Sequence, residues 1–274
     1  VMEQTYSNWE LCLCDGGGAE SPLTPILEEY ARSDGRIRFR TLDRNLGISG
    51  NTNAAVEMAT GDFILFADHD DLIAPEALYE FARALEGNPQ ADMIYSDEDK
   101  VDMDGKTYFE PNFKPDLNID LLCSVNYICH LTGVSRKLLK RAGGFRSEFD
   151  GAQDYDFILR CVERADFVYH IPKVLYHWRC HMDSTAASPE SKLYAFEAGA
   201  RALEEHYQRI GVPATVEHAD YYGMYHSRYH WGEEPLVSVI IPNKDHIDDL
   251  EKCLNSIFQR SAYRNLEFII VENN

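Results

Sequence analysis

Long apolar runs are missing from this sequence. No stretch approaches the roughly 18 residues that a membrane-crossing helix needs. Positive charge is also short: 26 Lys and Arg stand against 46 Asp and Glu, a formal net charge of −20. A surface of that sign repels nucleic acid and anionic membranes, so no nucleic-acid partner is expected. A phosphate-bearing ligand would need a local remedy, such as a metal ion. The seven cysteines, at 12, 14, 123, 129, 161, 180 and 253, form no CxxC pair, and their number is odd. That argues against a zinc ribbon or a disulfide framework and for reduced thiols in the cytoplasm. Low-complexity tracts are absent. What remains is an ordinary globular composition, 45% hydrophobic and 12% aromatic over 274 residues, enough for one large domain or two small ones.

Strand-like and helix-like segments alternate from the start. "WELCLCD" reads as a strand, "LTPILEEYARS" as a helix and "RIRFRTL" as a strand. A helix over "ISGNTNAAVEMATG", the apolar strand "DFILFAD", a helix over "PEALYEFARALEG" and the strand "ADMIYSD" follow. Strands that are apolar throughout, separated by helices, predict an α/β fold whose mostly parallel sheet is covered on both faces. Beyond Asp97 the pattern loosens. "EDKVDMDGKTYFEP" predicts a hairpin turning at Asp104-Gly105. "DYDFILRCVERA" predicts an amphipathic helix and "FVYHIPKVLYHWRCH" a strand. "SPESKLYAFEAGARALEEHYQRIG" predicts a long helix capped by Ser188 with Pro189 at its first position. Residues 214–234 read as a polar connector rich in Tyr and His.

The two ends of the chain resemble each other. "VMEQTYSNWELCLCDGG" from Val1 aligns with "IFQRSAYRNLEFIIVENN" from Ile257, with Ala262 as an extra residue. Tyr6 meets Tyr263, Asn8 meets Asn265, Glu10 meets Glu267, and "LCLCD" meets "FIIVE". Just before the second copy, "PLVSVIIPNKDHIDDLEKCLNSI" reads as a strand, a polar turn and an amphipathic helix. The chain therefore reads as one period of a tandem repeat cut out of phase. Residues 1–234 form one domain without its opening strand, and 235–274 form the strand–helix–strand opening of a second repeat. The strand Leu236–Ile241 is expected to fill the empty slot, within the chain or by exchange in a domain-swapped homodimer.

The sharpest chemical signal is "ILFADHDDLIAP". An apolar strand ends in Asp68-His69-Asp70-Asp71, and parallel α/β sheets bind ligands beyond the carboxyl ends of their strands. Asp68 and Asp70, at i and i+2 on a bending chain, can face one hard cation. The blander reading makes Asp70 and Asp71 caps of the next helix. In "FDGAQDYDFILRC", Asp154 lies in the first turn of a helix, where a carboxylate can take a proton from a hydroxyl or simply stabilise the helix dipole. In "YHWRCHMDSTA", Arg179 and His181 share one face of an extended segment, which suits phosphate and metal. The acidic run "YSDEDK" is read as a solvated turn.

Taken in order, these segments resemble the family 2 inverting glycosyltransferases, which have the GT-A fold. "LCLCDGG" resembles a strand tip whose Asp15 would contact the nucleotide. "NLGISGNTNAA" resembles the Asn-x-Gly segment, here Asn45, Gly47 and Asn53. "DHDD" resembles the DxD motif, which implies donor or metal contact for Asp68 and metal for Asp70. "QDYD" resembles the base segment, with Asp154 as the implied base and Gln153 where a Glu is usual. "YHWRCHMDST" resembles the late Arg-His segment, which implies diphosphate and metal contacts for Arg179 and His181. "VSVIIPNKD" resembles the opening strand, with Pro242 and Asn243 at the nucleotide.

The resemblance implies Mg²⁺ or Mn²⁺, a UDP- or dTDP-linked sugar donor and a glycan or lipid-linked glycan acceptor. It also implies a role in cell-surface polysaccharide synthesis, in the cytoplasm or at the inner face of the membrane. The rival reading is a non-catalytic glycosyltransferase-like binding module. A sugar nucleotidyltransferase is disfavoured because "IIPNKDH" has no glycine, and a DxD phosphohydrolase because "DHDDLIAP" lacks the expected Thr or Val.

Overall fold

The computed structural model describes residues 1–180, 193–230 and 232–273. His181, Ser188 and Pro189 lie outside them. The chain divides into two units, Val1–Arg228 and Tyr229–Asn274. Among the described residues no helix is long and apolar enough to cross a membrane.

The first unit opens with β1 (Leu11–Asp15), α1 (Thr24–Ser33) and β2 (Ile37–Thr41), then α2 (Gly47–Met58), β3 (Phe63–Phe66), β4 (Leu72–Ile73) and α3 (Ala77–Gly87). β5 (Met93–Val101) and β6 (Tyr108–Asn112) form the expected hairpin. Its turn closes through Gly105 N donating to Asp102 O, with Gly105 at φ +71. The short α4 (Ile119–Leu122), β7 (Thr132–Ser135), α5 (Arg136–Ala142), α6 (Gln153–Val162), β8 (Val168–Arg179) and α7 (Leu193–Ile210) follow. β9 (Ala214–His218) and β10 (Tyr225–Tyr229) end this part of the chain.

The main sheet runs β3-β7-β5-β8-β4, with β6 added on β5. β5 and β8 are parallel, and β7 enters antiparallel between β3 and β5, so β3, β5 and β8 all point one way. β5 is the centre of the core. Met93 and Tyr95 pack into one apolar cluster with α5, α6 and α7, while Ile94 packs into the other with α3 and β8. That alternation is the period-two geometry of a strand with both faces covered, as its continuous apolar start requires. β1 and β2 form a separate parallel pair. Within this unit β1 pairs with β2 alone and β3 with β7 alone among the described residues, leaving each with one strand edge unpaired. Glu10, just before β1, accepts hydrogen bonds from the backbone N–H groups of Thr60 and Gly61, just before β3.

Two expectations change. The run "YSDEDK" is no solvated turn: it continues β5. Asp97 accepts from His170 Nε2 at 2.8 Å and from Lys114 N at 2.9 Å, Glu98 pairs with Lys114 Nζ at 2.9 Å, and Asp99 meets His177 Nδ1 at 2.5 Å. Partners distant in sequence let these acids enter a sheet. The connector read at 214–234 holds a two-stranded sheet, β9 with β10. Tyr225 N donates to Ser124 O at 2.8 Å, Tyr225 Oη donates to Phe196 O at 3.0 Å, and the ring stacks on Tyr155. Gly199 makes room for it: a Cβ there would lie 2.0 Å from the Tyr225 hydroxyl.

In α6, Asp156 is fully buried and bonded to both Arg146 and Arg160. Burial pulls its pKa up, but the two guanidinium groups prevail and hold it below the usual carboxylate range. Asp156→Asn should therefore destabilise the fold by about 3–5 kcal/mol, because it leaves Arg160 buried without its counter-charge. Chemical denaturation of parent and variant checks this; a loss below about 1 kcal/mol would rule out the charge-pair account.

The second unit is a strand–helix–strand: β11 (Val237–Asn243), α8 (Ile247–Arg260) and β12 (Leu266–Glu272). β11 and β12 are parallel in the register Val237↔Leu266 to Asn243↔Glu272. Glu267 accepts from Ser238 Oγ at 2.6 Å, and Glu272 accepts from Asn243 Nδ2 at 2.6 Å and Asp245 N at 3.1 Å.

Candidate active site

After β3 the chain bends through Asp68–Asp71 and pairs β4 against β8. Asp68, Asp70 and Asp71 each offer an oxygen within 4.8 Å of the others. Neither Asp70 nor Asp71 caps α3, whose N-cap is Glu76 with no side-chain bond. Asp71 is instead the anchor: Oδ2 accepts from Tyr176 Oη at 2.5 Å and Oδ1 from Arg179 N at 2.8 Å, both on β8. Burial raises its pKa, opposed by those two bonds. Asp71 is thus engaged by β8, and Asp68 and Asp70 complete the carboxylate cluster. Three converging carboxylates make a hard, oxygen-only donor set, and that chemistry fits Mg²⁺ or Mn²⁺.

Asp68 also meets His130, with Nε2 at 3.5 Å from Oδ2. The bond to His130 holds the Asp68 carboxyl below its usual range. His130 sits against the rings of Tyr176 and Trp178. Burial pulls its pKa down, but Asp68 and the more distant Asp154 and Glu98 outweigh that and raise it. No sequence pattern marked His130; it reaches the site only because β7 lies between β3 and β5.

Asp154 is in the first turn of α6, as predicted, and it lines a cleft. Asp68, Cys129, His130 and Gln153 share that cleft, with Phe66, Phe145 and Phe157 forming its apolar wall. Asp154 Oδ2 accepts from Asn126 Nδ2 at 2.9 Å. The acidic strand end and the helix-borne carboxylate, far apart in sequence, thus face one space.

The remaining candidates fall into three places. Asp15, at the tip of β1 and 7% exposed, accepts from Gly17 N at 2.8 Å through Oδ1, while its Oδ2 is buried without a partner. An orphaned buried carboxylate oxygen is what a ligand hydroxyl or amide would satisfy. Asn45 Oδ1 accepts from Gly47 N and Asn51 Nδ2, both at 2.9 Å, and shapes the loop before α2. That loop meets the segment before α6: Ser49 donates to Asp150, and a Cβ on Gly47 (φ +78) would lie 2.9 Å from Asp150 Oδ2. Both amide atoms of Asn53 are taken by the backbone of Phe145, at 2.8 Å each. Arg179 donates to two carbonyls, Nε to Asp70 O and Nη1 to Met103 O, each at 2.7 Å. Pro242 and Asn243 belong to the second unit, where Asn243 is bonded to Glu272.

This sheet, with its strand-end carboxylates, is a GT-A fold. The structure resembles S. aureus TarS 1–349 solved with UDP, at a TM-score of 0.53 and 19% identity, covering 75% of this chain and 65% of that one. The sequence model described as "Glycosyl transferase family 2" matches residues 1–143, and the chain belongs to that family. It is 36% identical over 274 residues to the O-antigen biosynthesis protein RfbC of Myxococcus xanthus. It is 42% identical over 278 residues to an uncharacterized protein, y4gI, of Sinorhizobium fredii. All of this chain is covered in both cases, but it spans only 21% and 30% of those relatives. A chondroitin synthase of Escherichia coli is 28% identical over 190 residues, covering 68% of this chain and 27% of that protein.

Proposed function

We propose that the chain transfers a sugar, with inversion, from a nucleoside-diphosphate donor to a glycan hydroxyl in cell-surface polysaccharide synthesis. One observation carries this: Asp154 and Asp68 line the same cleft. Asp154 takes the proton of the acceptor hydroxyl. The freed oxygen forms a bond to the anomeric carbon as the bond to the diphosphate breaks, and that electron pair leaves on phosphate. Asp68 and Asp70 would hold Mg²⁺ or Mn²⁺, which supplies positive charge for the departing diphosphate. Asp15 contacts the nucleotide from the tip of β1. The names of the O-antigen and chondroitin relatives support a polysaccharide product, and the UDP in TarS supports a uridine donor, with a dTDP sugar as the alternative. All seven cysteines are free, which supports a reducing, cytoplasmic setting.

A screen of UDP- and dTDP-sugars with Mn²⁺, reading nucleotide release, tests the activity. Calorimetry with UDP runs beside it. Binding without turnover on any donor would favour a non-catalytic module, and absence of UDP binding would overturn the nucleotide site.

We also propose that the free edge of β1 takes a β11-type strand, within the chain or by exchange between two copies. The support is the repeat itself. Glu267 and Glu272, whose carboxylates receive Ser238 and Asn243 of β11, align with Glu10 and Asp15. A β11 strand that exchanges β12 for β1 in the same register, and Glu272 for Asp15, brings Asn243 to Asp15, with Pro242 beside it. Asn243→Ala should then weaken UDP binding about tenfold, the cost of one lost hydrogen bond at a buried carboxylate, and light scattering separates exchange in a dimer from pairing within a monomer. UDP affinity that ignores Asn243→Ala sinks the idea.

A further inference from the structure

Asp154 does not work from an open helix end. Its Oδ2 receives two donors, Asn126 Nδ2 at 2.9 Å and the Cys129 thiol at 3.3 Å, while among the described residues no donor reaches Oδ1. Asn126 does double duty, since its Oδ1 accepts from Cys129 N at 3.4 Å. The segment bearing both residues is fixed on either side. Upstream, Ser124 O accepts from Tyr225 N at 2.8 Å and Val125 bridges Met224. Downstream, the buried Lys114 ammonium donates to Ile128 O at 2.8 Å and His130 O at 2.6 Å. Cys129 sits between these anchors at φ +34, a conformation that a side-chain-bearing residue holds only when its surroundings impose it. Burial pushes the thiol pKa far up, so Cys129 stays protonated and serves Asp154 as a donor.

We infer that Asn126 and Cys129 are positioning residues for the base: together they hold Oδ2 and leave Oδ1 to meet the acceptor hydroxyl. The inference rests on reading Asp154 as the proton acceptor. A carboxylate pinned at one oxygen cannot turn in its cleft, and that is the geometric precision a proton transfer needs.

The test uses the full chain, Mn²⁺ and the donors UDP-glucose, UDP-N-acetylglucosamine and dTDP-glucose, with nucleotide release as the rate and UDP affinity by calorimetry. Asn126→Ala should lower kcat by about 10- to 100-fold while donor KM and UDP affinity stay within about twofold. Cys129→Ala should lower kcat by a smaller factor, and Cys129→Ser, which restores a donor, should recover it. In the Asp154→Asn background, Asn126→Ala should cost nothing further, because it acts only through that carboxylate. Parent kcat in Asn126→Ala, or an additive loss in the double variant, overturns the positioning role. Parent kcat in Asp154→Asn, or no turnover by the parent chain on any donor, removes the base itself.

Discussion

Asp154→Asn is expected to lower turnover by about 10²- to 10⁴-fold, the range a positioned general base contributes, while UDP affinity stays within about twofold. The amide keeps the size and an acceptor oxygen, so the helix start survives, but it cannot accept the acceptor's proton. The reason to expect separation of rate from binding is structural. Asp154 is borne by α6, held by Asn126 and Cys129, and the carboxylates assigned to the diphosphate end are borne by the β3–β4 turn. Steady-state kinetics and calorimetry on the same preparations decide it. If UDP binding collapses with the rate, Asp154 is a structural carboxylate at a helix N-terminus and the proposed mechanism loses its base.

Asp70→Ala should have the second largest effect. Mn²⁺-dependent UDP binding should weaken by about 100-fold, or about 2.7 kcal/mol, with turnover falling at least as far. Asp70 is singled out because both oxygens of its neighbour Asp71 are already engaged by β8. Removing Asp71 should damage the turn; removing Asp70 should remove one carboxylate of the cluster while its backbone carbonyl keeps the bond from Arg179. Titrating UDP with and without Mn²⁺ separates the two. A variant that still responds to Mn²⁺ like the parent would move the metal away from this cluster.

The parts of this molecule that depend on local pattern were legible in the sequence. Continuous apolar strands, the carboxylate pair at the end of β3 and the charged first turn of α6 all stand where reading residue by residue puts them. What was not legible depends on residues that meet only in three dimensions. The acids Asp97, Glu98 and Asp99 look like a turn until His170, Lys114 and His177 arrive from elsewhere. β9 and β10 look like a connector because their apolar residues alternate with polar ones and include few aliphatics. His130, Asn126 and Cys129 carry no motif; their place at the site comes from the path of the chain into β7. Arg179 has the residue type of a phosphate ligand, and the sequence did not show that its Nε and Nη1 also meet the Asp70 and Met103 carbonyls.

That last arrangement has a mechanical meaning. Arg179 is a strut between Asp70 O and Met103 O, so the tip of the β5–β6 hairpin and the turn bearing the acidic pair are linked through one rigid guanidinium. Gly105 lies against the same group: a Cβ there would stand 3.5 Å from Arg179 Nη1. A load applied at the hairpin tip is therefore transmitted to the Asp70 backbone, and the spacing of the two acids is set partly by a loop that carries neither of them.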